Sequence, residues 1–282
     1  MVSHFSFYAI MVPGDAQMNR KITKYLIITF AITWTLWWAE ALLVGLTSMV
    51  DTDVLPMILF LCGGFGPTIA ACLCLEDGFS LRNLWRFVGS YKKGGAFYFV
   101  IFFILELLVF SQGATGLIPS LADIDLPIAK IGLIFVEATF ILGGNEELGW
   151  RGTLLPELVK ENKSLIGSAV IVGVIWVFWH LPLWFIQGNP HQNMSIFYFA
   201  FLGILLSIWL SSLHSLSSSI LMCMVIHGWT NTLLGIWDYH YTTAYAAGLV
   251  ILTILAADCA VAALRKEKTG ASKPKKPSSS EL

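Results

Sequence analysis

Apolar residues in this chain come in eight long runs, each close to the roughly 20 residues that an α-helix needs to cross a bilayer. On that length the runs predict spans at 25–47, 55–75, 96–113, 128–152, 165–187, 195–213, 219–237 and 243–264. No internal repeat relates one run to another. The expected fold is all-α, a polytopic membrane protein of about eight transmembrane helices. The fourth run departs from the pattern at its end. There "GGNEELGWRG", residues 143–152, sets Glu146, Glu147 and Arg151 at a depth where lipid is expected. Charges at such a depth are costly unless they are paired or face a polar cavity.

Composition supports the membrane reading. Of 282 residues 56% are hydrophobic and only 12% charged, against about 25% charged in a soluble domain. The net charge of −1, with no basic stripe outside short loops and the tail, excludes a nucleic-acid partner. The five cysteines all fall inside apolar runs with no CxxC pair, so they read as small buried hydrophobes. Residues 1–17 read as an extension, too short to span and lacking the basic start and cleavage site of a signal peptide. Residues 18–266 read as one membrane domain. Residues 267–282, polar and rich in Pro and Ser, read as a disordered basic tail whose lysines can meet anionic lipid.

Positive charge sets the expected orientation. In an eight-span chain, 15 of the 17 Lys and Arg fall on one side. They are Arg20, Lys21 and Lys24; Arg82, Arg86, Lys92 and Lys93; Lys160 and Lys163; and six residues from Arg265 to Lys276. Asp51, Asp53, Asp123, Asp125 and Asp238 fall on the other. The positive-inside rule then places both termini in the cytoplasm, with the cell membrane as the expected location.

Three constellations carry candidate chemistry. Glu147 and Arg151 stand four apart with the acid first, the favoured order for a helical ion pair. A structural salt bridge accounts for those two and leaves Glu146, about 100° round the helix, without a partner. A free carboxylate in an apolar wall suits a general base. The second constellation is "WVFWHLPLW", residues 176–184, with His180 mid-span and Pro182 as a kink. The third is "HGWTN", residues 227–231, with His227 and Asn231 on one helix face. Singly, each histidine reads as a packing residue hydrogen-bonded between helices. Together they lie at similar depth: at 1.5 Å per residue, His227 is about 12 Å in, Asn231 about 18 Å and His180 about 20 Å. Three separate helices would bring these groups to one intramembrane cavity, with the parts needed to activate water and hold an oxyanion.

The three motifs, "EELGWR", "WVFWH" and "HGWTN", occur in the order found in the CAAX protease and bacteriocin-processing family of intramembrane peptidases, which the chain resembles mainly over residues 128–237. Trp176 stands where phenylalanine is commoner in that family. The resemblance implies hydrolysis of a peptide bond in a membrane-associated peptide or protein, lipidated substrates included, with the bilayer as the other partner. It implies Glu146 as the base, His180 as orienter of water or proton donor to the leaving amine, and His227 with Asn231 at the oxyanion. Glu147, Arg151 and Trp176 would be structural or position substrate. The preferred scheme needs no cofactor. The alternative is a zinc site of Glu146, His180 and His227 with an open position for water, although HExxH is absent. No GxSxG motif supports a serine nucleophile. Two rival classes use the same residues differently: a transporter relaying protons through Glu40, Glu106, Glu137 and Asp258, or a non-catalytic scaffold or immunity protein. On the peptidase reading, Glu40 and Asp258 reach the interfaces, Glu106 and Glu137 bond within the bundle, and His4, His191, His214 and His240 face water.

Overall fold

The computed structural model describes residues 13–115, 126–162, 164–236 and 243–271. Every regular element among them is helical. In chain order these are α1 (Pro13–Leu46), α2 (Val54–Gly64), α3 (Gly66–Leu73), α4 (Leu81–Gly89), α5 (Gly95–Thr115) and α6 (Ile128–Phe140). There follow α7 (Glu147–Gly149), α8 (Leu155–Asn162), α9 (Leu165–Trp179), α10 (Ile196–Ser217), α11 (Ile220–Ile236) and α12 (Thr243–Ala271). The main packing pairs are α9 with α10, α6 with α11, α10 with α12, and α1 with both α2 and α3.

The span count is lower than the apolar runs suggested. Among the described residues five helical stretches are long and apolar enough to cross a bilayer, or six if α2 and α3, bent by 43°, make one span. α5 and α11 are apolar as well, α11 at 17 residues being the shorter. Two of the apolar runs are broken. Pro67 lacks the N–H that would bond the Gly63 carbonyl, and Thr33 supplies its hydroxyl to that oxygen instead at 2.7 Å. The fourth run also breaks. A turn at 141–143 is followed by a 3-10 turn (Gly144–Glu146), then α7, then a π-turn (Trp150–Leu154), and only then α8. In the π-turn Thr153 donates its hydroxyl to the Leu148 carbonyl at 3.1 Å. Such π-turns concentrate at functional sites.

α9 ends earlier than its apolar run. His180 is its C-terminal cap, and Leu181–Phe185 form a 3-10 turn containing Pro182. The His180 N–H bonds the Val177 carbonyl, so the Trp176 carbonyl is released and takes the His180 ring at 2.7 Å. Trp34 on α1 donates to the Trp179 carbonyl at 3.1 Å. The helix end is thus satisfied by side chains, as a low-dielectric interior requires.

The wall facing outward is apolar: Ile27, Leu42, Val100, Leu133, Val174 and Ile254 are all at least 49% exposed. Charged and polar side chains, Glu146, Glu147, Arg151, His180 and His227 among them, lie inside. This is the distribution expected of a chain solvated by lipid. Of the cysteines only Cys223 is buried; Cys62 and Cys259 are exposed on the helix surfaces, and all five are free thiols. Residues 1–12 and 272–282 of the expected extension and tail lie outside the described residues, while α1 already begins at Pro13 and α12 runs on to Ala271.

α6 and α11 meet where α11 has no side chain. A Cβ on Gly228 would come within 2.6 Å of Thr139 Cα and 2.7 Å of Thr139 N, whereas a Cβ on Gly235, further along the same helix, meets nothing within 4 Å. Gly228→Ala is therefore expected to lower stability by about 1–3 kcal/mol through overpacking against backbone. Gly235→Ala is expected to be neutral or slightly stabilising, since alanine is the better helix former. Thermal denaturation of the two detergent-solubilised variants checks the contrast.

Candidate active site

The site is assembled from the broken fourth run, the end of α9 and the middle of α11. Glu146 closes the Gly144–Glu146 turn and is 6% exposed. Its Oε2 accepts hydrogen bonds from the indoles of Trp150 at 3.0 Å and Trp176 at 2.6 Å. Glu146 is therefore not the unpartnered carboxylate that helical spacing suggested. One oxygen is fixed by two indole donors and the other is left for chemistry. Trp150 stands four residues after Glu146, a spacing legible in the sequence; the Trp176 contact spans 30 residues and required the fold.

Glu147 has a larger role than an ion pair. Its Oε1 accepts from Arg151 at 2.8 Å, with both side chains wholly buried. The same oxygen lies 2.9 Å from His227 Nδ1. The carboxylate thus orients the His227 ring and leaves Nε2 as its other nitrogen. The Arg151 guanidinium lies 5.4 Å from the Trp176 ring centroid, so one indole touches both the Glu146 and the Glu147 side of the cluster.

His180 is held differently. A carbonyl can only accept, so the bond to the Trp176 oxygen places the proton on Nδ1 and leaves a lone pair on Nε2. Asn231 donates through Nδ2 to the Leu142 carbonyl at 2.9 Å, which pins α11 to the turn before the glutamates. Gly143 in that turn has φ +126°, a conformation closed to most L-residues. The space its missing Cβ leaves is bounded by Asn231 Nδ2 and by His227 Nε2, the latter 3.0 Å from the Cβ position.

Glu146, Trp176, His180, His227 and Asn231 line one cavity of about 600 Å³, walled mainly by apolar and aromatic side chains. Arg151 and Glu147 lie behind that wall. Three residues that the motifs did not single out also line it: Glu106, Glu137 and His191. Glu106 on α5 is buried and accepts from the Thr230 hydroxyl at 3.0 Å, a bond within the bundle as expected. Glu137 is exposed along the wall instead of being bonded within the bundle, and Asp258 is exposed. Glu40 is 1% exposed and so does not reach an interface. His191, from the turn Pro190–Asn193, stacks toward His180 at 6.2 Å and is only partly exposed, so the expectation that it faces water is corrected. Burial holds its imidazole down to about 4, so it is neutral at pH 7. His214 is also half-buried, while His4 and His240 lie outside the described residues.

Among the described residues no three His, Cys, Asp or Glu side chains converge as metal ligands would, and two indoles already occupy Glu146 Oε2.

A cavity that holds a few buried polar side chains, enclosed by helices within an apolar exterior, defines an integral membrane protein. Residues 128–233 match the family model described as type II CAAX prenyl endopeptidase, Rce1-like. CAAX prenyl protease 2 of Methanococcus maripaludis is 39% identical over 70 residues, covering 23% of this chain and 23% of that protein. Over these residues the chain is similar to the CAAX protease family. It spans about a quarter of the length of this curated relative.

The buried Glu147–Arg151 pair makes a stability prediction. Glu147→Gln strands a wholly buried guanidinium, which is expected to cost about 3–5 kcal/mol. Glu147→Gln combined with Arg151→Gln removes the lone charge and should recover part of that loss. A double-mutant cycle read by thermal denaturation checks it; strict additivity would show that the pair is not coupled.

Proposed function

We propose that the protein is an intramembrane endopeptidase that hydrolyses a peptide bond of a membrane-associated protein or peptide with a water activated by Glu146 and His180. One observation carries the reading: Glu146, His180, His227 and Asn231, from three separate parts of the chain, line a single cavity. The relative named a CAAX prenyl protease extends the proposal to lipidated, prenylated substrates, whose hydrocarbon the apolar cavity wall suits.

Each group has a task that its bonding permits. Water donates one hydrogen bond to the free oxygen of Glu146 and another to His180 Nε2. As the water oxygen attacks the scissile carbonyl carbon, its proton passes to Glu146. The developing oxyanion takes hydrogen bonds from Asn231 Nδ2 and from a proton on His227 Nε2 in the space beside Gly143, and Glu147 behind the ring balances that positive charge. When the C–N bond breaks, the amine nitrogen takes the proton from Glu146, and the acyl fragment leaves as a carboxylic acid. No metal enters this scheme. Stoichiometric zinc in active protein, with loss of activity that chelator causes and zinc restores, would overturn it.

The ion pairs support the orientation in which both termini face the cytoplasm. Lys21 bonds Glu76 and Glu157 at 2.9 and 3.0 Å, and Lys92 bonds Glu267 at 3.0 Å. These gather the start of α1, the α3–α4 connection, α8 and the end of α12 at one basic end of the bundle. Single cysteines at Thr52 and Gln192 should react with an impermeant thiol reagent added outside cells, and those at Lys93 and Glu161 should not. Reaction at Lys93 would reverse the orientation.

Glu146→Gln keeps shape and removes the base, so cleavage is expected to fall at least about 10²-fold with folded yield unchanged. Gly143→Ala fills the space beside Asn231 and His227 and should lower kcat by a similar factor, roughly that of losing an oxyanion donor. Proteomic comparison of cells carrying the wild-type chain or Glu146→Gln identifies the substrate, and purified protein with that substrate gives the rates. Full activity of Glu146→Gln, or solute flux without cleavage, would reject the endopeptidase assignment.

A further inference from the structure

α4 meets three environments at once. Leu84, Phe87 and Val88 pack inward against a cluster of Ala71, Leu148, Ile220 and Met224. Leu81 and Trp85, four apart, are 79% and 74% exposed. Arg82 and Arg86, also four apart, are exposed beside them and make no side-chain hydrogen bond or ion pair among the described residues. The helix is ordered despite its nine residues. The Ser80 hydroxyl caps it by accepting from Asn83 N at 3.1 Å, and the Asn83 side chain donates back to the Asp77 and Gly78 carbonyls.

The charges around α4 do not cancel. Glu76 is taken by Lys21 and Lys92 is paired with Glu267, which leaves Asp77 against Arg82, Arg86 and Lys93. The neighbouring end of α1 repeats the arrangement. Arg20, Thr23 and Lys24 stand above Ile27 and Ile28 along one furrow, and Lys24 is tied to the α3–α4 connection through the Leu73 carbonyl at 2.8 Å. Cationic groups above, and exposed apolar side chains below, match a phospholipid headgroup with its acyl chain.

We propose that α4 is an interfacial helix that binds anionic phospholipid headgroups of the surrounding membrane through Arg82 and Arg86, with Leu81 and Trp85 seated at the headgroup–acyl boundary. The occupant is lipid because the exposed pair continues the lipid-facing wall at its basic end, where tryptophan and arginine both concentrate in membrane proteins. The inner face gives the contact a consequence. Phe87 sits against Gly152, and Leu148, one residue beyond Glu147, lies in the cluster under α4. Headgroup binding therefore braces the segment that holds both glutamates. The proposal is independent of the reaction assigned to the cavity.

The test uses the full chain in detergent, titrated with phosphatidylglycerol or phosphatidylcholine in mixed micelles, with retained lipid counted by native mass spectrometry and stability read by thermal shift. Wild type is expected to retain phosphatidylglycerol over phosphatidylcholine and to gain stability from it, with the preference fading as salt is raised. Arg82→Gln with Arg86→Gln should weaken phosphatidylglycerol binding on the order of 30-fold, the loss expected for two basic side chains at an anionic surface. Arg82→Lys with Arg86→Lys should keep most of the preference, and its behaviour decides the matter if the glutamine pair folds poorly. Equal binding of the two lipids by wild type, or unchanged phosphatidylglycerol binding by the glutamine pair, overturns the proposal. So does a change in oligomeric mass without a change in lipid binding, which would make α4 a contact between copies.

Discussion

A single carboxylate oxygen, Glu147 Oε1, carries the interaction on which the site depends. It accepts from Arg151 and from His227 in a region without solvent exposure. Two ionised partners in such a place are tolerable only because they meet each other, since removing either would leave a desolvated charge. The consequence reaches beyond the ion pair. Arg151 faces Trp176, Trp176 donates to Glu146, and the Trp176 carbonyl fixes His180. The two adjacent glutamates thus belong to one network joined through an indole on another helix. A network of this kind is rigid when fully bonded and fails as a unit when it is not.

The backbone irregularities serve that network. A continuous helix through residues 128–162 would turn Glu146 and Glu147 about 100° apart and carry both along the helix wall. The turn at 141–143, the 3-10 turn and the π-turn instead fold this segment inward, so that its side chains meet α9 and α11. Side chains take up three of the freed carbonyls: Thr153 on Leu148, Asn231 on Leu142, and Thr68 on Asn145 at 2.7 Å. Non-helical backbone at this depth survives because it is buried in protein and lines a cavity.

The segment that matches the family, residues 128–233, contains all three motifs but does not hold itself in place. Trp34 closes the end of α9, Thr68 anchors the turn before Glu146, and Lys21 bonds Glu157 on α8. These supports come from α1 and α3, outside the matched region. The N-terminal helices are therefore a scaffold for the site as well as membrane anchors.

Much of this was legible in the sequence for a plain reason: hydrophobic run length, charge asymmetry and i,i+4 spacing are local properties. They gave the all-helical membrane class, the Glu147–Arg151 pair and the shared face of His227 and Asn231. They overcounted full-length spans among the described residues, because Pro67 divides an apolar run that composition alone leaves continuous and α11 stops at 17 residues. They placed His180 mid-helix, whereas Pro182 and the released Trp176 carbonyl make it a cap. What only the tertiary structure decided is which groups share a partner. The bonds from Trp176 to Glu146 and from Glu147 to His227 join residues 30 and 80 positions apart. No periodicity encodes such contacts, because they arise when separate helices pack and each buried polar atom must find a partner there.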